Sequence, residues 1–145
     1  MPSVIVDVVK VRADARVPAR GTSGAAGHDI YLSLPDGMES VRIMPSETRA
    51  VPTGVSLRMP EYMEAQVRGR SSMSLRGLVC HLGTIDPDYS GEVSVILTNT
   101  SSRPIRLVRG DRIAQLVFSR ILPVKLEGAD QLPPPRTGGF GSTGR

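Results

Sequence analysis

The 145-residue sequence has no tryptophan, two phenylalanines and three tyrosines. Proteins that hold single-stranded nucleic acid stack successive bases on several exposed rings, and this chain is poorly supplied for that task, so no nucleic-acid partner is expected. A single cysteine, Cys80, closes no intrachain disulfide, and the fold therefore does not depend on an oxidising compartment. No window approaches the run of about 18 apolar residues that spans a bilayer. The opening MPSVIVDVVKVRADARVP carries an acid inside its apolar run and lacks the cationic start of a signal peptide. The expectation is a soluble, intracellular protein with no membrane contact.

Other absences remove whole chemistries. Cys80, His81 and His28 lack the paired spacings of a zinc site. GRSSM, residues 69 to 73, has Met73 where a nucleophile elbow needs a glycine, which argues against a serine hydrolase. The glycine-rich tail lacks the lysine and the following helix of a P-loop. Arg109-Gly110-Asp111 spells an adhesion tripeptide, but it stands between two strand-like runs and reads as a turn.

What is present is glycine and proline, 15 and 12 residues, spread without a repeat. That favours many short strands and tight turns in one domain. Val4 to Val11 is dense in β-branched residues and predicts a first strand, buried on both faces or paired at an interface. Strict alternation follows at Val55, Leu57, Met59, at Met63, Ala65, Val67 and at Val93, Val95, Leu97, each set facing one side of a strand. Further strands are predicted at Ile30 to Leu34, Val41 to Met44, Ile105 to Val108 and Ile113 to Phe118. The fold class is therefore all-β, a sandwich, jelly roll or barrel, with one short helix predicted from Ser71 to Gly77, capped by its serines. After Leu126 the pattern gives way to prolines and glycines, a spacer and a flexible tip. The β domain is set at residues 1–132 and a C-terminal arm at 133–145.

Two segments suggest chemistry. GRSS, residues 69 to 72, puts Arg70 and two hydroxyls at a helix start, where free N–H groups and a guanidinium suit phosphate. GTIDPDYSGEV, residues 83 to 93, has the make-up of a tight hairpin presenting an acid and an aromatic ring. The net charge of +4, with cations scattered among acids, fits a small polyanionic ligand.

Taken in order, AAGHDI (25 to 30), GRSS (69 to 72), GTIDPDYSGEV (83 to 93), RGDRIAQL (109 to 116) and RTGGFGSTG (136 to 144) resemble the five motifs of the trimeric dUTPase family. The resemblance covers nearly the whole chain. It implies a jelly-roll-like β-barrel assembled as a homotrimer, with each active site at a subunit junction. It also implies hydrolysis of dUTP to dUMP and pyrophosphate with Mg²⁺ on the triphosphate, which limits uracil in DNA and supplies dUMP for thymidylate synthesis.

By the same resemblance Asp86 is the catalytic acid that activates the attacking water, and Asp29 holds a water of the magnesium shell. Arg70, Ser71 and Ser72 contact phosphates, and Gln115 lies near the α-phosphate, while Arg112 is read as structural. Tyr89 packs under the deoxyribose and leaves no space for a 2′-hydroxyl. The backbone around Gly83 and Ile85 reads uracil. In the arm, Phe140 lies over the uracil, and Arg136, Gly141, Ser142 and Thr143 belong to the segment that reaches the γ-phosphate. The chain departs from the family pattern at Arg136, four residues before Phe140 instead of five, at Cys80 in place of asparagine, at His28 in place of an aromatic or aliphatic residue, and at Ser90 in place of arginine.

Two alternatives share this scaffold. One is a non-catalytic relative that signals to a regulatory protein partner. The other is dCTP deaminase, whose chemistry passes a proton through a glutamate in the base pocket, whereas the acids beside the tyrosine here are the aspartates Asp86 and Asp88.

Overall fold

The computed structural model describes residues 2–131, so the expected arm at 133–145 and its Arg136, Phe140, Gly141, Ser142 and Thr143 lie outside the described residues. Eleven strands and one helix follow in the order β1 (Asp7–Lys10), β2 (Gly27–Tyr31), β3 (Ser40–Ile43), β4 (Thr48–Pro52), β5 (Val55–Arg58), β6 (Met63–Arg68), α1 (Ser71–Leu75), β7 (Leu78–Cys80), β8 (Gly83–Ile85), β9 (Ser94–Asn99), β10 (Ile105–Val108) and β11 (Arg112–Arg120). All named pairings are antiparallel and make four sheets, β1-β5, β10-β3, β2-β11-β6-β8 and β4-β9-β7. The architecture is all-β and jelly-roll-like. No helix among the described residues is long and apolar enough to cross a membrane.

The alternating sets explain why the sheets close on one core. Met63, Ala65 and Val67 of β6 are buried while Glu64 and Gln66 between them are only half-buried. Val95 and Leu97 of β9 are buried between exposed Ser94 and Ile96. Ile30, Leu78, Leu107, Ile113 and Leu116 add fully buried side chains from four further strands. Each such side chain contributes about 1.5–3 kcal/mol relative to an exposed position.

Some expectations need correction. The first strand is not buried on both faces within one chain. Val6 and Val8 pack on the core, but Val4, Val9 and Val11 are exposed. The strand predicted at Ile30 to Leu34 begins earlier, at Gly27, because β11 pairs with residues 27 to 31 and Leu32 to Leu34 continue as buried coil. β4, β7 and β8 went unpredicted because β4 carries three exposed residues and ends in proline, and the other two are three residues long. Their partners hold them: β4 pairs with β9 over five positions.

One buried polar residue organises the turns at this end of the core. Asn99 is fully buried and donates Nδ2 to the carbonyls of Ile43 at 2.9 Å and Arg103 at 2.7 Å, while its Oδ1 accepts the Ser101 N–H and hydroxyl. Every capacity of the amide is used, which is the condition for burying it without penalty.

His28 is less well provided. It faces inward on β2 opposite Leu116, packs edge-on against Phe118 with centroids 5.5 Å apart, and its buried Nδ1 has no hydrogen-bond partner. Burial, then the positive charge of Arg20, push its pKa below the ordinary 6.5. The folded chain therefore binds fewer protons here than the unfolded chain. The stability this contributes is complete above about pH 6.5 and drains as pH falls through that value toward the lower native one. The melting temperature should fall between about pH 7.5 and 5.5, and His28→Phe should flatten the slope. Asp14, whose carboxyl is also held below its ordinary 3.8, acts in a more acidic window and does not confuse the reading. Equal slopes in both proteins would show that His28 carries no such linkage.

Candidate active site

β11 brings the first group of predicted residues together. Gln115 stands opposite Asp29 on one side and Arg68 on the other. Its amide lies over Gly27, where any Cβ would come within 2.0 Å of Gln115 Oε1, and its Nε2 donates to the Gly69 carbonyl at 2.9 Å. The glycine before the acid in AAGHDI is thus required by the glutamine in RGDRIAQL. Asp29 is further fixed by a two-way backbone bridge to Ala19, at 2.8 and 3.2 Å.

Arg70 leaves β6 and arrives beside the same acid. Its Nε is 3.1 Å from Asp29 Oδ1, and its Nη1 donates to the Arg112 carbonyl at 3.1 Å. Arg112 Nη1 is 3.5 Å from Asp29 Oδ2, so both oxygens of that carboxylate face guanidinium groups. Arg70, Ser72, Met73, Arg76, Asp111 and Arg112 line an open cleft of about 260 Å³. Three arginines at one concavity favour a multiply charged anion. Arg112 and Arg76 were not singled out from the sequence for this role. The signal for Arg112 was its place three residues before Gln115, and for Arg76 its place at the end of α1.

The helix at this cleft is shorter than predicted. It ends at Leu75, with Gly77 in the left-handed region at φ +85°, and its N-cap is Arg70 in extended conformation without a side-chain cap. Ser71 and Ser72 occupy the first turn and are exposed. Their hydroxyls do not cap it.

The second group gathers on the segment from residues 83 to 93. It is not the tight hairpin expected, because β8 pairs with β6 whereas β9 pairs with β4 and β7. The segment crosses between sheets and makes one closed turn, Tyr89 N–H to the Asp86 carbonyl at 3.1 Å. A cleft of about 260 Å³ opens there, walled by Gly83, Ile85, Asp86, Tyr89, Glu92 and Ile96 among others. Glu92 adds an acid that the reading of Asp86 and Asp88 left out. Its carboxylate already accepts from Arg12 and from Gly54 N–H at 2.7 Å, which leaves it poorly placed as a proton shuttle. Cys80, on β7, is half-buried, and burial pushes its thiol up to about 11. It is a poor nucleophile at neutral pH.

The two groups do not meet within one chain. Extending the β6–β8 register by one residue sets Asp86 level with Glu64 and so with Ser119, four residues along β11 from Gln115. Four residues along a strand and two strand spacings across put Asp86 and Gln115 roughly 16 Å apart. Arg109-Gly110-Asp111 is a turn between β10 and β11, as read from the sequence, and the Arg109 guanidinium is engaged by Asp14 and by the carbonyls of Leu34, Pro35 and Met38.

Comparison with known proteins gives a consistent picture. The family model named dUTPase matches residues 13–144. The deoxyuridine 5'-triphosphate nucleotidohydrolase of Anaeromyxobacter sp. (strain Fw109-5) is 44% identical over 134 residues, 89% of this chain and 88% of that protein. That of Hydrogenobaculum sp. (strain Y04AAS1) is 42% identical over 142 residues, 94% of this chain and 96% of its own. Among solved structures, the dUTPase of Staphylococcus bacteriophage 80alpha with dUPNHPP superposes with a TM-score of 0.87 at 25% identity, covering 97% of this chain and 98% of that one. A mutant dUTPase from phage phi11 of S. aureus, described with a structural Mg(II) ion, shares the fold at a TM-score of 0.81 and 23% identity, over 90% of this chain and 99% of that one. Motif, fold and relatives agree: the chain belongs to the dUTPase family.

Proposed function

We propose that this protein hydrolyses dUTP to dUMP and pyrophosphate, with each active site built from two half-sites of different copies. The observation that carries this reading is the order β11-β6-β8 with its register, which by ordinary strand spacing sets Asp86 and Gln115 roughly 16 Å apart. Both are assigned to the α-phosphate, and neither can reach it from the other's position in one chain. A second copy must supply the missing half, which is how a homotrimer with sites at its junctions works.

In this reading the sugar and base enter the cleft beside Asp86 and Tyr89. Tyr89 walls off the 2′ position, and main-chain groups near Gly83 and Ile85 read the uracil edge. Asp86 orients a water for in-line attack on the α-phosphorus and accepts its proton. Arg70 and its flanking serines Ser71 and Ser72, with Gln115 from the neighbouring copy, take the charge that moves onto pyrophosphate as the bond to the α-phosphorus breaks. Arg112 joins them as a further guanidinium at the same cleft. The arm residues Arg136, Phe140, Gly141, Ser142 and Thr143 complete the site over base and γ-phosphate, and closure of such a segment excludes water. The product dUMP would feed thymidylate synthesis, and loss of dUTP would limit uracil in DNA.

Mg²⁺ fits this arrangement in one way only. Among the described residues no three His, Cys, Asp or Glu side chains converge to hold a metal. Asp29 has its oxygens facing Arg70 and Arg112. Mg²⁺ ordinarily keeps several waters and binds through one or two carboxylates plus substrate phosphates, so Asp29 would hold the ion through a water. When bound, the metal neutralises phosphate charge. A protein partner that responds to the nucleotide is compatible with this assignment and is not needed for it.

Asp86→Asn should still bind dUTP but turn it over at least about a hundredfold more slowly, the ordinary weight of a general base. Single-turnover release of pyrophosphate measures it, and near-normal turnover would remove Asp86 from the mechanism. Tyr89→Ala should raise the kcat/KM for UTP relative to dUTP. An unchanged ratio would place sugar discrimination elsewhere.

A further inference from the structure

The second cleft owes its shape to a residue that does not belong to the reacting groups. The Tyr89 ring lies against the main chain of Gly91, where an added Cβ would stand 2.4 Å from the phenol oxygen. Its hydroxyl donates to the Glu92 carbonyl at 3.0 Å. The ring can therefore be no better fixed than the backbone at residues 91 and 92.

That backbone is tied down from the far side. Glu92 Oε1 accepts the Gly54 N–H at 2.7 Å and Arg12 Nη2, and Oε2 faces Arg12 Nη1 at 3.3 Å. The flanking residues are bound as well, Gly91 through its carbonyl to the Ser56 hydroxyl at 2.9 Å and Val93 through its N–H to the Val55 carbonyl at 2.8 Å. Arg12 is itself held by Nε to the Ser33 hydroxyl at 3.1 Å, and Ser33 donates to Asp14 at 2.6 Å. Asp14 also accepts the Leu34 N–H at 3.0 Å and the Arg109 guanidinium. Burial alone would raise the Asp14 carboxyl, but these bonds outweigh it and keep it ionised. The chain of contacts runs from the turn before β11 to the tyrosine. The Arg12 and Glu92 side chains are only 24% and 28% exposed, so solvent screens them less than an ordinary surface pair.

We propose that Glu92 is the positioning residue for sugar selection. Its carboxylate, clamped between Arg12 and Gly54, fixes the main-chain carbonyl that holds the Tyr89 hydroxyl, and so sets the distance of the ring from the 2′ position of the nucleotide. This rests on the reading of Tyr89 as the wall against a 2′-hydroxyl. Asp86 opens the Asp86–Tyr89 turn directly after β8, whose pairing with β6 anchors it, so loosening residue 92 moves the ring more than the acid.

The test compares kcat and KM for dUTP and UTP in the full-length protein carrying Glu92→Gln, Arg12→Gln, Tyr89→Phe, Tyr89→Ala and the double variant Tyr89→Phe/Glu92→Gln. Glu92→Gln keeps an acceptor for Gly54 and loses the charge that clamps Arg12. It should raise the UTP-to-dUTP ratio of kcat/KM at least about fivefold, with the dUTP loss falling on KM and kcat kept within about twofold. Arg12→Gln, which leaves Glu92 its bond to Gly54, should move the ratio in the same direction and serves alone if the first variant does not fold. The double variant should do no more than the larger of its single parents, since both interrupt one path. Should Tyr89→Ala raise the ratio while the Glu92 and Arg12 variants match the wild type, Glu92 is structural only and the proposal is overturned. Should Tyr89→Ala itself leave the ratio unchanged, the wall falls first and the role of Glu92 falls with it.

Discussion

The pairing of β11 between β2 and β6 is the constraint on which the site depends. It sets Gln115 opposite Asp29 and Arg68 in one row. Gly27 leaves the space that the Gln115 amide fills, and Arg70 then finds Asp29 at 3.1 Å. A slip of one residue would turn Gln115 into the core and Leu116 out of it. Burial of Leu116, Ile113 and Ala114, each fully enclosed, therefore fixes the polar row as firmly as its own hydrogen bonds do.

The same register keeps the acid of the other cleft away. β8 joins this sheet at its far edge, and its pairing with β6 ends at Ala65 and Ile85, beyond which Asp86 turns into the crossover. If Asp86 activates the water as proposed, this sheet geometry separates it from the row of Asp29, Gln115 and Arg70 in each chain, and two copies would reunite them. Catalysis that depends on junctions between copies would then follow from a four-stranded sheet with a short edge strand.

Much of this was legible in the residues. Alternation at Met63, Ala65, Val67 and at Val93, Val95, Leu97 identified β6 and β9, and the five motifs identified the family. What the sequence did not show depends on long-range pairing. β4, β7 and β8 are too short or too polar to declare themselves, and their existence comes from β9 and β6. The segment from 83 to 93 has the composition of a hairpin, yet its two flanking strands belong to different sheets. Arg112 and Glu92 gain their places from partners far away in sequence, Asp29 and Arg12, which no local pattern announces. The assigned roles of Asp29, Arg70, Gln115, Asp86 and Tyr89 rest on the motifs, and the structure adds which of them are neighbours.

The central claim is that one catalytic site takes its acid from one copy and its phosphate cations from another. Two inactive parents test it, Asp86→Asn and Arg70→Ala, unfolded together in equal amounts and refolded, with a mass tag on one parent to confirm mixed assemblies. If the halves come from different copies, random assembly gives about a quarter of the sites both wild-type groups, and activity should reappear at roughly that fraction. Mixed assemblies that stay as inactive as either parent would show that Asp86 and Arg70 serve a site within a single chain, and would contradict the account.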